Sequence, residues 1–569
     1  MTFAFKLSRR LAQNVWVGAV AALAACAGDS TNPDLVARRV KTITIDPSSA
    51  GLAVSESRQF SARLYNARGV EVSGTVGWSS TAGTVAGVSS GGWVTGLTSG
   101  TATIHATADG VSASAAVIVS ADGDSEPPPP PPPPPHAGFH VVPSGSSAGD
   151  GSAASPWDLA TALSGAGGRV QPGDTVWLHG GTYRGNFRST VKGTATAPVV
   201  VRGYPGERAI IDGASGSATA STWYVGGQYS VFWGFEITNS NPTRVFSTVG
   251  DRQNVIANYA SHTKYINLVV HDGGVAFYNE ANYVDVEITG CIIYNIGWQG
   301  GDRGHGHALY IKSNTGPVLA RDNVMFNQFG YGVHVFSNPS SGQLNNIRLE
   351  GNVAFNNGTQ ATNSTASNIL VGGDDYATGN VLVGNMTYSS PGVANRNVHV
   401  GYGTLKNGTV QLVDNYFAGG STVLDVGYWS SVTATGNRIT GTNVVVKLSD
   451  PGLPLSLFTG QTASVLPTVT KVVVRPSPHE VGRANVVVYN WSRLDAVTLD
   501  LSGIVAVGAD YEIRNVQDLY GTPVAGGRYA GGSVTLPIRG VPPPVPIGMT
   551  SSRAPATGID FNAYIVTSR

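Results

Sequence analysis

Residues 323–328 read NVMFNQ, and residues 352–357 read NVAFNN. In both, an asparagine precedes two or three apolar residues and a polar turn. The same unit, with substitutes for the asparagine in places, recurs as NLVVHD at 267, CIIYNI at 291, NVLVGN at 380, NYFAGG at 415 and NRITGT at 437. Spacing near 22 with variable insertions is typical of stacked solenoid rungs, whose loops can grow outward. The repeat predicts an all-β fold built on a single-stranded parallel β-helix.

The recurring asparagines are predicted to be scaffold rather than site. Asparagine tolerates left-handed backbone angles at a tight turn, and its side-chain amide can bond to the asparagine one rung above. Helical solenoids are disfavoured because apolar residues after position 170 show hardly any 3.6-residue periodicity.

Length and composition limit the class of protein. A chain of 569 residues is long enough for three or more folding units. Its 41% hydrophobic residues can fill real cores, and its 74 glycines follow no collagen-like period. The 35 basic residues balance 35 acidic ones, so there is no basic field to attract nucleic acid. We expect no nucleic-acid partner.

Residues 1–26 look like an export signal. A basic start and the apolar run 15–25 end in Leu23-Ala24-Ala25-Cys26, which resembles the lipobox of bacterial lipoproteins. The resemblance implies that Cys26 carries lipid, which would anchor the protein to a membrane, and Ala27 favours the outer one. Two alternatives stay open: an ordinary signal peptide, which would give a secreted protein, and a short membrane anchor. The apolar run is short for a segment that spans a bilayer. Cys291 would then be the last thiol, without a disulfide partner.

Residues 40–120 alternate apolar and polar residues in short bursts separated by glycine and serine, which predicts a small β-sandwich. The segments WSS at 78, GGWVTGLTSGTATI at 91 and VSASAAVIVS at 111 resemble the bacterial Ig-like group 2 domain. That resemblance implies a spacer or adhesive unit.

Residues 121–138 form an acidic and proline-rich linker, in which nine prolines at 127–135 predict a stiff rod. At roughly 3.1 Å per residue this rod would hold the next domain roughly 28 Å away. Residues 451–569 alternate again and predict a C-terminal β-sandwich, for either structural packing or sugar binding.

The predicted solenoid, residues 139–450, opens with HVVPSGSSAGDGSAASPWDLATAL and VQPGDTVWLHGGTYRG. Both resemble the start of pectate-lyase-like right-handed β-helix proteins. By that resemblance, Ser155 would cap a helix starting at Pro156, and Trp157, Leu159 and Leu163 would cover the open end. Lyases, hydrolases, C5 epimerases and phage adhesins share this fold, so the fold does not fix the function.

Polar residues that could take part in catalysis are concentrated in residues 301–313, which read GDRGHGHALYIKS. We align successive rungs by their inward residues. Leu309 and Ile311 are matched with Val275 and Phe277 on the previous rung and with Val333 and Val335 on the next. The residues that alternate with these inward residues then face outward. One outward column reads Ala276, Tyr310, His334, Leu370, His399 and Asp425, and its neighbour reads Tyr278, Lys312, Phe336, Gly372, Gly401 and Gly427. Parallel strands lie about 4.8 Å apart, so these columns predict one continuous polar and aromatic face.

A face with lysine, histidine, tyrosine and arginine but few carboxylates fits an anionic sugar, whereas most glycosidases need a close pair of acids. In β-elimination from a uronate, a cation neutralises the carboxylate, a base removes the C5 proton and an acid assists the leaving oxygen. We assign Lys312 or His307 as the base, Tyr310 as the acid and Arg303 with His334 as the neutralising groups. His305, in the same loop, is a further predicted catalytic residue. Predicted substrate-binding residues are Tyr278, His399, Tyr402, Asp425 and Tyr428.

No cofactor is required by this chemistry, although Asp374 and Asp375 are predicted as a possible Ca²⁺ site. Zinc held by His305, His307 and His334 is less favoured, because the i, i+2 histidines lack a defined further ligand. We expect a monomer that acts on an extracellular polysaccharide from the cell envelope, as an outer-membrane lipoprotein, or after secretion. A C5 epimerase, a glycoside hydrolase and a non-catalytic glycan-binding adhesin remain alternatives.

Overall fold

The computed structural model describes residues 39–568 apart from 48, 67–69, 121–137, 217–219 and 247–251. The signal sequence with Cys26 and the proline run lie outside the described residues. The chain divides into two compact units, residues 1–135 and 136–569. In the described part of both units, no helix is long and apolar enough to cross a membrane.

The first unit is an all-β domain with three small sheets. Its core contains Leu52, Phe60, Val94, Ile104 and Val117, which are nearly inaccessible to solvent. The strands are Thr42–Asp46, Ser49–Ala53, Ser57–Gln59, Ser61–Tyr65, Glu71–Val72, Gly77–Ser80, Ala86–Val88, Trp93–Gly96, Gly100–Ala108 and Val111–Ser120.

The second unit is dominated by a parallel β-helix in which each rung gives one strand to each of three sheets, A, B and C in chain order. Sheet A comprises Phe139–Val141, Thr175–Leu178, Val199–Gly203, Ser230–Trp233, Thr263–Ile266, Val286–Thr289, Val318–Arg321, Ile347–Glu350, Asn380–Val383, Asn407–Val413 and Trp429–Thr435. Sheet B comprises Gly181–Arg184, Ala209–Asp212, Glu236–Thr238, Val269–His271, Ile292–Tyr294, Val324–Phe326, Val353–Phe355, Met386–Tyr388, Tyr416–Ala418, Arg438–Thr440 and Thr462–Ala463. Sheet C comprises Phe187–Ser189, Trp223–Val225, Ile256–Asn258, Phe277–Asn279, Leu309–Ile311, Val333–Val335, Ile369–Val371, Arg396–Val400, Thr422–Val426 and Val444–Leu448.

Short elements complete the solenoid. Two ribbons pair Trp298–Gln299 with Gly304–His305 and Leu344–Asn345 with Ala377–Thr378. Single 3₁₀ turns occupy Ala166–Gly168, Gly213–Ser215 and Leu455–Phe458.

An asparagine ladder runs up the turn between sheets A and B. Asn323, Asn352, Asn385, Asn415 and Asn437 each donate from Nδ2 to the next side-chain oxygen at 2.7–3.0 Å, and Gln461 ends the series. Each of these oxygens also accepts the backbone N–H of the preceding ladder residue at 2.9–3.2 Å. The predicted amide ladder is therefore confirmed.

The left-handed backbone angle is confirmed at Asn267, with φ of 52°, and at Asn327, with φ of 57°. At the ladder asparagines themselves it is wrong, because the left-handed angle belongs to the residue before each of them, with φ of 53° at Asp322 and 61° at Gly351. The repeat at 380 is also shifted, because Asn380 lies in sheet A and the ladder residue of that rung is Asn385. Both Asn380 and Asn385 precede apolar residues, so the local pattern cannot distinguish them.

The solenoid starts under a short cap. The helix Leu159–Leu163 is capped by Asp158, whose side chain accepts the Thr161 N–H at 2.8 Å, so the predicted start at Ser155 is wrong. Asp158 has the carboxylate that an N-cap position favours. As expected, Trp157, Leu159 and Leu163 are buried against the first rungs; Trp157 stacks on Phe139 with ring centroids 4.6 Å apart.

The other end of the solenoid lies beyond the expected boundary at residue 450, because Thr462–Ala463 adds a strand to sheet B. The strand is too short to leave an alternating pattern. Two antiparallel sheets then pack face to face around a shared apolar core. They contain, in spatial order, Lys471–Pro476, Ala484–Tyr489, Phe561–Ser568, Asp510–Asn515 and Ala525–Arg528, and the pair Ala496–Asp500 and Ser533–Pro537; a 3₁₀ turn covers Val516–Asp518.

The five-stranded C-terminal sheet packs directly on the outer face of sheet B. Successive side chains alternate, so Val486 and Val488 face the smaller sheet while Val487 and Tyr489 face the solenoid. Phe561 stacks on Tyr388 with ring centroids 4.7 Å apart. This interface is a continuous apolar core, so the C-terminal sheets are an integral layer of the second unit.

A buried ionic network crosses the same interface. The two ring nitrogens of His271 lie 3.0 Å from Glu236 and 2.7 Å from Asp272. Tyr520 of the C-terminal region donates to Glu236 at 2.5 Å. Burial opposes charge, but these partners raise the pKa of His271 to about 9, and hydrogen bonds from His271 and Arg208 hold the pKa of Glu236 at about 2. His271 and Glu236 are therefore both ionised at neutral pH.

Candidate functional site

The candidate site lies on the outer face of sheet C. Its strands pair in register, so that Tyr278, Tyr310 and His334 occupy equivalent outward positions on three successive rungs. The predicted alignment downstream of Leu309 is thus confirmed, but the upstream residue of the column is Tyr278 and not Ala276. A slip of two residues preserves the inward and outward alternation, so an apolar pattern alone does not detect it.

Four rings form the centre of the site. His307 and His334 lie 4.2 Å apart between ring centroids, and Tyr310 lies 5.6 Å from His307 and 5.0 Å from His334. Tyr331 stacks on His334 at 4.4 Å. The Nδ1 atom of His307 accepts the Tyr331 backbone N–H at 3.2 Å, so Nε2 carries the hydrogen of this neutral imidazole.

Burial keeps both histidines uncharged. Desolvation, with the nearby Arg303 guanidinium, lowers the pKa of His307 to about 3. Desolvation and His307 hold the pKa of His334 well below its usual value. His334 therefore contributes hydrogen bonding rather than the positive charge expected from sequence. Its buried Nδ1 has no hydrogen-bond partner among the described residues, which leaves a polar atom for a ligand or water.

Lys312 and Tyr310 project from one strand next to these rings. The Lys312 ammonium lies 5.6 Å from the Tyr278 ring centroid and 5.3 Å from that of Tyr310, and it donates to Ser341 Oγ at 3.3 Å. Desolvation lowers the pKa of Lys312 although Glu280 opposes this, and desolvation raises the pKa of Tyr310 although Arg303 opposes it. A lysine that loses its proton more easily thus adjoins a tyrosine that keeps its own.

The loop before this strand places its residues unequally. His305 turns to Asp302, with 2.7 Å between Nε2 and Oδ1, and stacks on Trp298 with 5.2 Å between ring centroids. Arg303 stays 44% exposed, and its charge lowers the pKa of both His307 and His334. The structure therefore places His307 among the four rings at the centre of the site, hereafter the ring cluster, and Arg303 near it. The side chain of His305 instead contacts Asp302 and Trp298.

The predicted substrate-binding residues extend up the same face. His399 lies two rungs beyond His334, and Asp425 lies on the next rung. Tyr402 links the two regions, because its ring is 5.1 Å from Phe336 and 6.1 Å from His399. Tyr428 is half-buried in the turn after the Asp425 strand.

Asp374 and Asp375 do not form a calcium cage. Asp375 accepts the backbone N–H of Tyr376 at 2.8 Å, and Asp374 is exposed. Across the described ranges, no group of three or more histidine, cysteine, aspartate or glutamate residues could hold a metal ion. Calcium takes six to eight oxygen ligands, so these two carboxylates fit it poorly. The same finding argues against zinc at His305, His307 and His334.

Sequence reasoning missed Tyr331 and assigned no role to Phe336, which together hold the His334 imidazole. Phe336 stacks on it with ring centroids 4.7 Å apart, on an interplanar angle of 7°. Tyr331 has the spacing of an inward residue, but the flanking Gly330 and Gly332 mark a bend. A side chain at Gly330 would collide with the Gly306 carbonyl, so the bend brings the chain close to His307.

The fold and this face together define a right-handed parallel β-helix protein with an aromatic and basic site on one sheet. Residues 139–418 match the family model described as "Pel9A-like, right handed beta helix region", and residues 39–119 match the model of the "Bacterial Ig-like domain (group 2)". The two expected resemblances are confirmed.

Two curated proteins are similar to parts of the chain. Pectate lyase L of Thermoclostridium stercorarium is 24% identical over an alignment of 301 residues, which covers 44% of this chain and 23% of that protein. Pectate lyase PEL9 of Emericella nidulans is 39% identical over 79 residues, which are 14% of this chain and 18% of that protein. The chain spans less than a quarter of the length of either relative.

Solved structures with similarity include pectate lyase Pel9A, at 18% identity and a TM-score of 0.36, with 52% of this chain and 78% of that chain covered. A rhamnogalacturonan lyase is 16% identical with a TM-score of 0.32 and covers 53% of this chain and 75% of its own.

Proposed function

We propose that this protein is an extracellular polysaccharide lyase that cleaves a uronate-containing polymer by β-elimination, with Lys312 as base and Tyr310 as acid. The observation that carries the proposal is the placement of these two groups on adjoining outward positions of one strand, beside the His307 and His334 rings. The named activities of the two curated relatives, both pectate lyases, support the same chemical class.

Each step can be assigned to a group in the site. Neutral Lys312 Nζ takes the proton from C5 of the uronate, and the electron pair left on carbon forms the C4–C5 double bond. The C4–O bond breaks at the same time, and the Tyr310 hydroxyl gives its proton to the leaving oxygen. Arg303 at the rim pairs with the uronate carboxylate, which stabilises the charge that builds next to C5. His307 and His334, being neutral, orient the sugar through hydrogen bonds.

The site favours Lys312 over His307 as the base. A base with a pKa near 3 has little tendency to hold the abstracted proton, whereas a lysine holds it firmly and, with its pKa lowered by burial, loses its own proton at a lower pH than an exposed lysine. The tyrosine has the opposite requirement, and burial meets it by keeping the hydroxyl protonated. The two environments therefore separate the acid from the base.

The test uses the full chain with polygalacturonate, alginate and glycosaminoglycans, and follows the ultraviolet absorbance of the unsaturated uronate product. We expect product from at least one polymer. Tyr310→Phe and Lys312→Met keep the packing volume and should each lower kcat by about 10²–10⁴-fold. His305→Ala is the matched control in the same loop and should retain activity.

Other outcomes separate the alternatives. An epimerase would yield no unsaturated product but would exchange the C5 hydrogen with solvent deuterium. An adhesin would bind a glycan, release nothing and be indifferent to Lys312→Met. If no uronate polymer gains unsaturation or exchanges its C5 hydrogen, the proposed chemistry is wrong.

A further inference from the structure

The outward column of sheet C ends in a charged group that the elimination chemistry does not use. Asp425 is fully buried, and its Oδ2 lies 3.1 Å from Arg396 Nη1 and 3.4 Å from Lys447 Nζ. The hydroxyl of Ser449 donates to its other oxygen at 2.7 Å. Two cations therefore share one carboxylate, although a buried carboxylate needs only one cation for charge balance.

The surplus positive charge reaches solvent. The side chains of Arg396 and Lys447 are 38% and 55% exposed. Desolvation and the Arg396 guanidinium lower the pKa of the adjoining His399 to about 4, so it adds no charge at neutral pH. The nearby Lys406 is paired with Asp450 at 2.6 Å. Within this group, one unit of positive charge is left to attract an anion.

A column of buried glycines lies between this group and the ring cluster. Gly372, Gly401 and Gly427 follow one another in the neighbouring column, and a Cβ on Gly372 or Gly401 would lie 2.9 or 2.8 Å from the next glycine Cα. No side chain can stand there. Tyr402 and Phe336 flank the start of this bare backbone.

The spacing of the rungs suits a sugar chain that lies along the solenoid axis. Tyr310, His334, Leu370, His399 and Asp425 are paired residues of consecutive strands, so Asp425 lies four rungs from Tyr310. At about 4.8 Å per rung this is roughly 19 Å. A sugar unit in an extended chain repeats at a distance similar to one rung, so a unit about four positions from the cut would lie at the charged end.

At the opposite end the face is already occupied by its own side chains. The Arg188 guanidinium covers the Tyr224 ring at 4.0 Å, and Tyr224 stacks on Tyr259 with ring centroids 5.2 Å apart. These faces are not free for a sugar ring, which favours the C-terminal direction.

We infer that Arg396 and Lys447 form a distal subsite that binds the carboxylate of a uronate unit about four positions from the scissile bond. The inference rests on the proposed function and adds a second anchor for the same polymer. Arg396 can offer two parallel N–H donors to a carboxylate, and Lys447 adds a mobile charge. A neutral polysaccharide gains nothing from this contact.

The test measures binding by calorimetry to the full chain carrying Lys312→Met, which prevents cleavage. The probes are trimeric and hexameric galacturonates, and the hexamer with its carboxyl groups reduced to alcohols. Arg396→Gln and Lys447→Gln are made singly, so that Asp425 always keeps one cation. Each variant should weaken the binding of the acidic hexamer by about tenfold and leave the binding of the trimer unchanged. Lys406→Gln, in the same region, should bind like the parent.

The result is read together with the cleavage assay. If the wild type cleaves a uronate polymer and both variants bind the acidic hexamer as tightly as the parent, the subsite is wrong and the proposed function stands. If nothing is cleaved but hexamer binding still depends on Arg396 and Lys447, the proposed function is wrong and the subsite stands. A parent that binds no acidic hexamer, or binds the reduced hexamer equally well, overturns the subsite.

Discussion

Replacing Asn385 with alanine tests whether the asparagine ladder stabilises the solenoid. The Asn385 side chain donates to the Leu349 carbonyl at 2.9 Å and to Asn415 at 3.0 Å, and its oxygen accepts two bonds from Asn352. In Asn385→Ala, the buried backbone N–H of Asn352 and one hydrogen of its amide lose their acceptor. Each buried donor left without a partner costs about 1–3 kcal/mol, so we expect a loss of about 2–6 kcal/mol.

The assay is urea-induced unfolding of the full chain, followed by circular dichroism. Asn443→Ala is the matched control, because Asn443 is exposed and makes one bond of 3.3 Å to the Gly420 carbonyl. The control should lie within about 0.5 kcal/mol of wild type. Asn385→Asp should be at least as damaging as Asn385→Ala, since it removes both donors and buries a carboxylate. A loss below about 1 kcal/mol for Asn385→Ala would refute the reasoning, since two unpaired buried donors cost more.

Three further predictions concern the site and the sheet interface. Because burial lowers the pKa of Lys312, kcat/KM should rise with pH as its ammonium loses a proton, and it should fall only where Tyr310 ionises. Lys312→Arg should abolish both the activity and this rise. A flat pH profile of kcat/KM would contradict the assignment. Phe561→Ala should destabilise the second unit by about 3–5 kcal/mol, measured by urea unfolding, and a separate transition for the C-terminal sheets in wild type would contradict their integral packing. Because the pKa of His271 is raised, its stabilisation of the fold is complete below its unfolded pKa and disappears as the pH rises toward 9. Because the pKa of Glu236 is depressed, its stabilisation is complete above its unfolded pKa and disappears as the pH falls toward 2. The melting temperature should therefore fall at both extremes of pH, and should fall less in His271→Gln.

The fold was largely predictable because the solenoid repeats one physical unit. A ladder asparagine and alternating strands recur often enough to reveal sheets, parity and the outward position of Tyr310 beside His334. The register of the strands was harder to predict, because a shift of two residues leaves the alternation of apolar and polar residues unchanged. Tyr278 was consequently placed in the wrong column.

The site was only partly predictable because burial depends on contacts between distant rungs. Sequence places His334 on the outer face but does not reveal that Tyr331 and Phe336 enclose its ring and keep it neutral. Arg396 was missed because its spacing is that of an inward residue, whereas its guanidinium reaches Asp425 from the start of the strand. Charge partners of this kind come from the three-dimensional path of the backbone.

The separation of Tyr310 and His334 is fixed by hydrogen bonds between neighbouring strands, whatever the length of chain that connects them. Corner segments such as residues 314–317, which join a strand of sheet C to a strand of sheet A, can therefore lengthen or be exchanged while Tyr310 and His334 stay in place. Such exchanges alter what borders the outer face of sheet C, so varying the corners of the solenoid alone can change the surroundings of Tyr310 and His334 without changing their spacing.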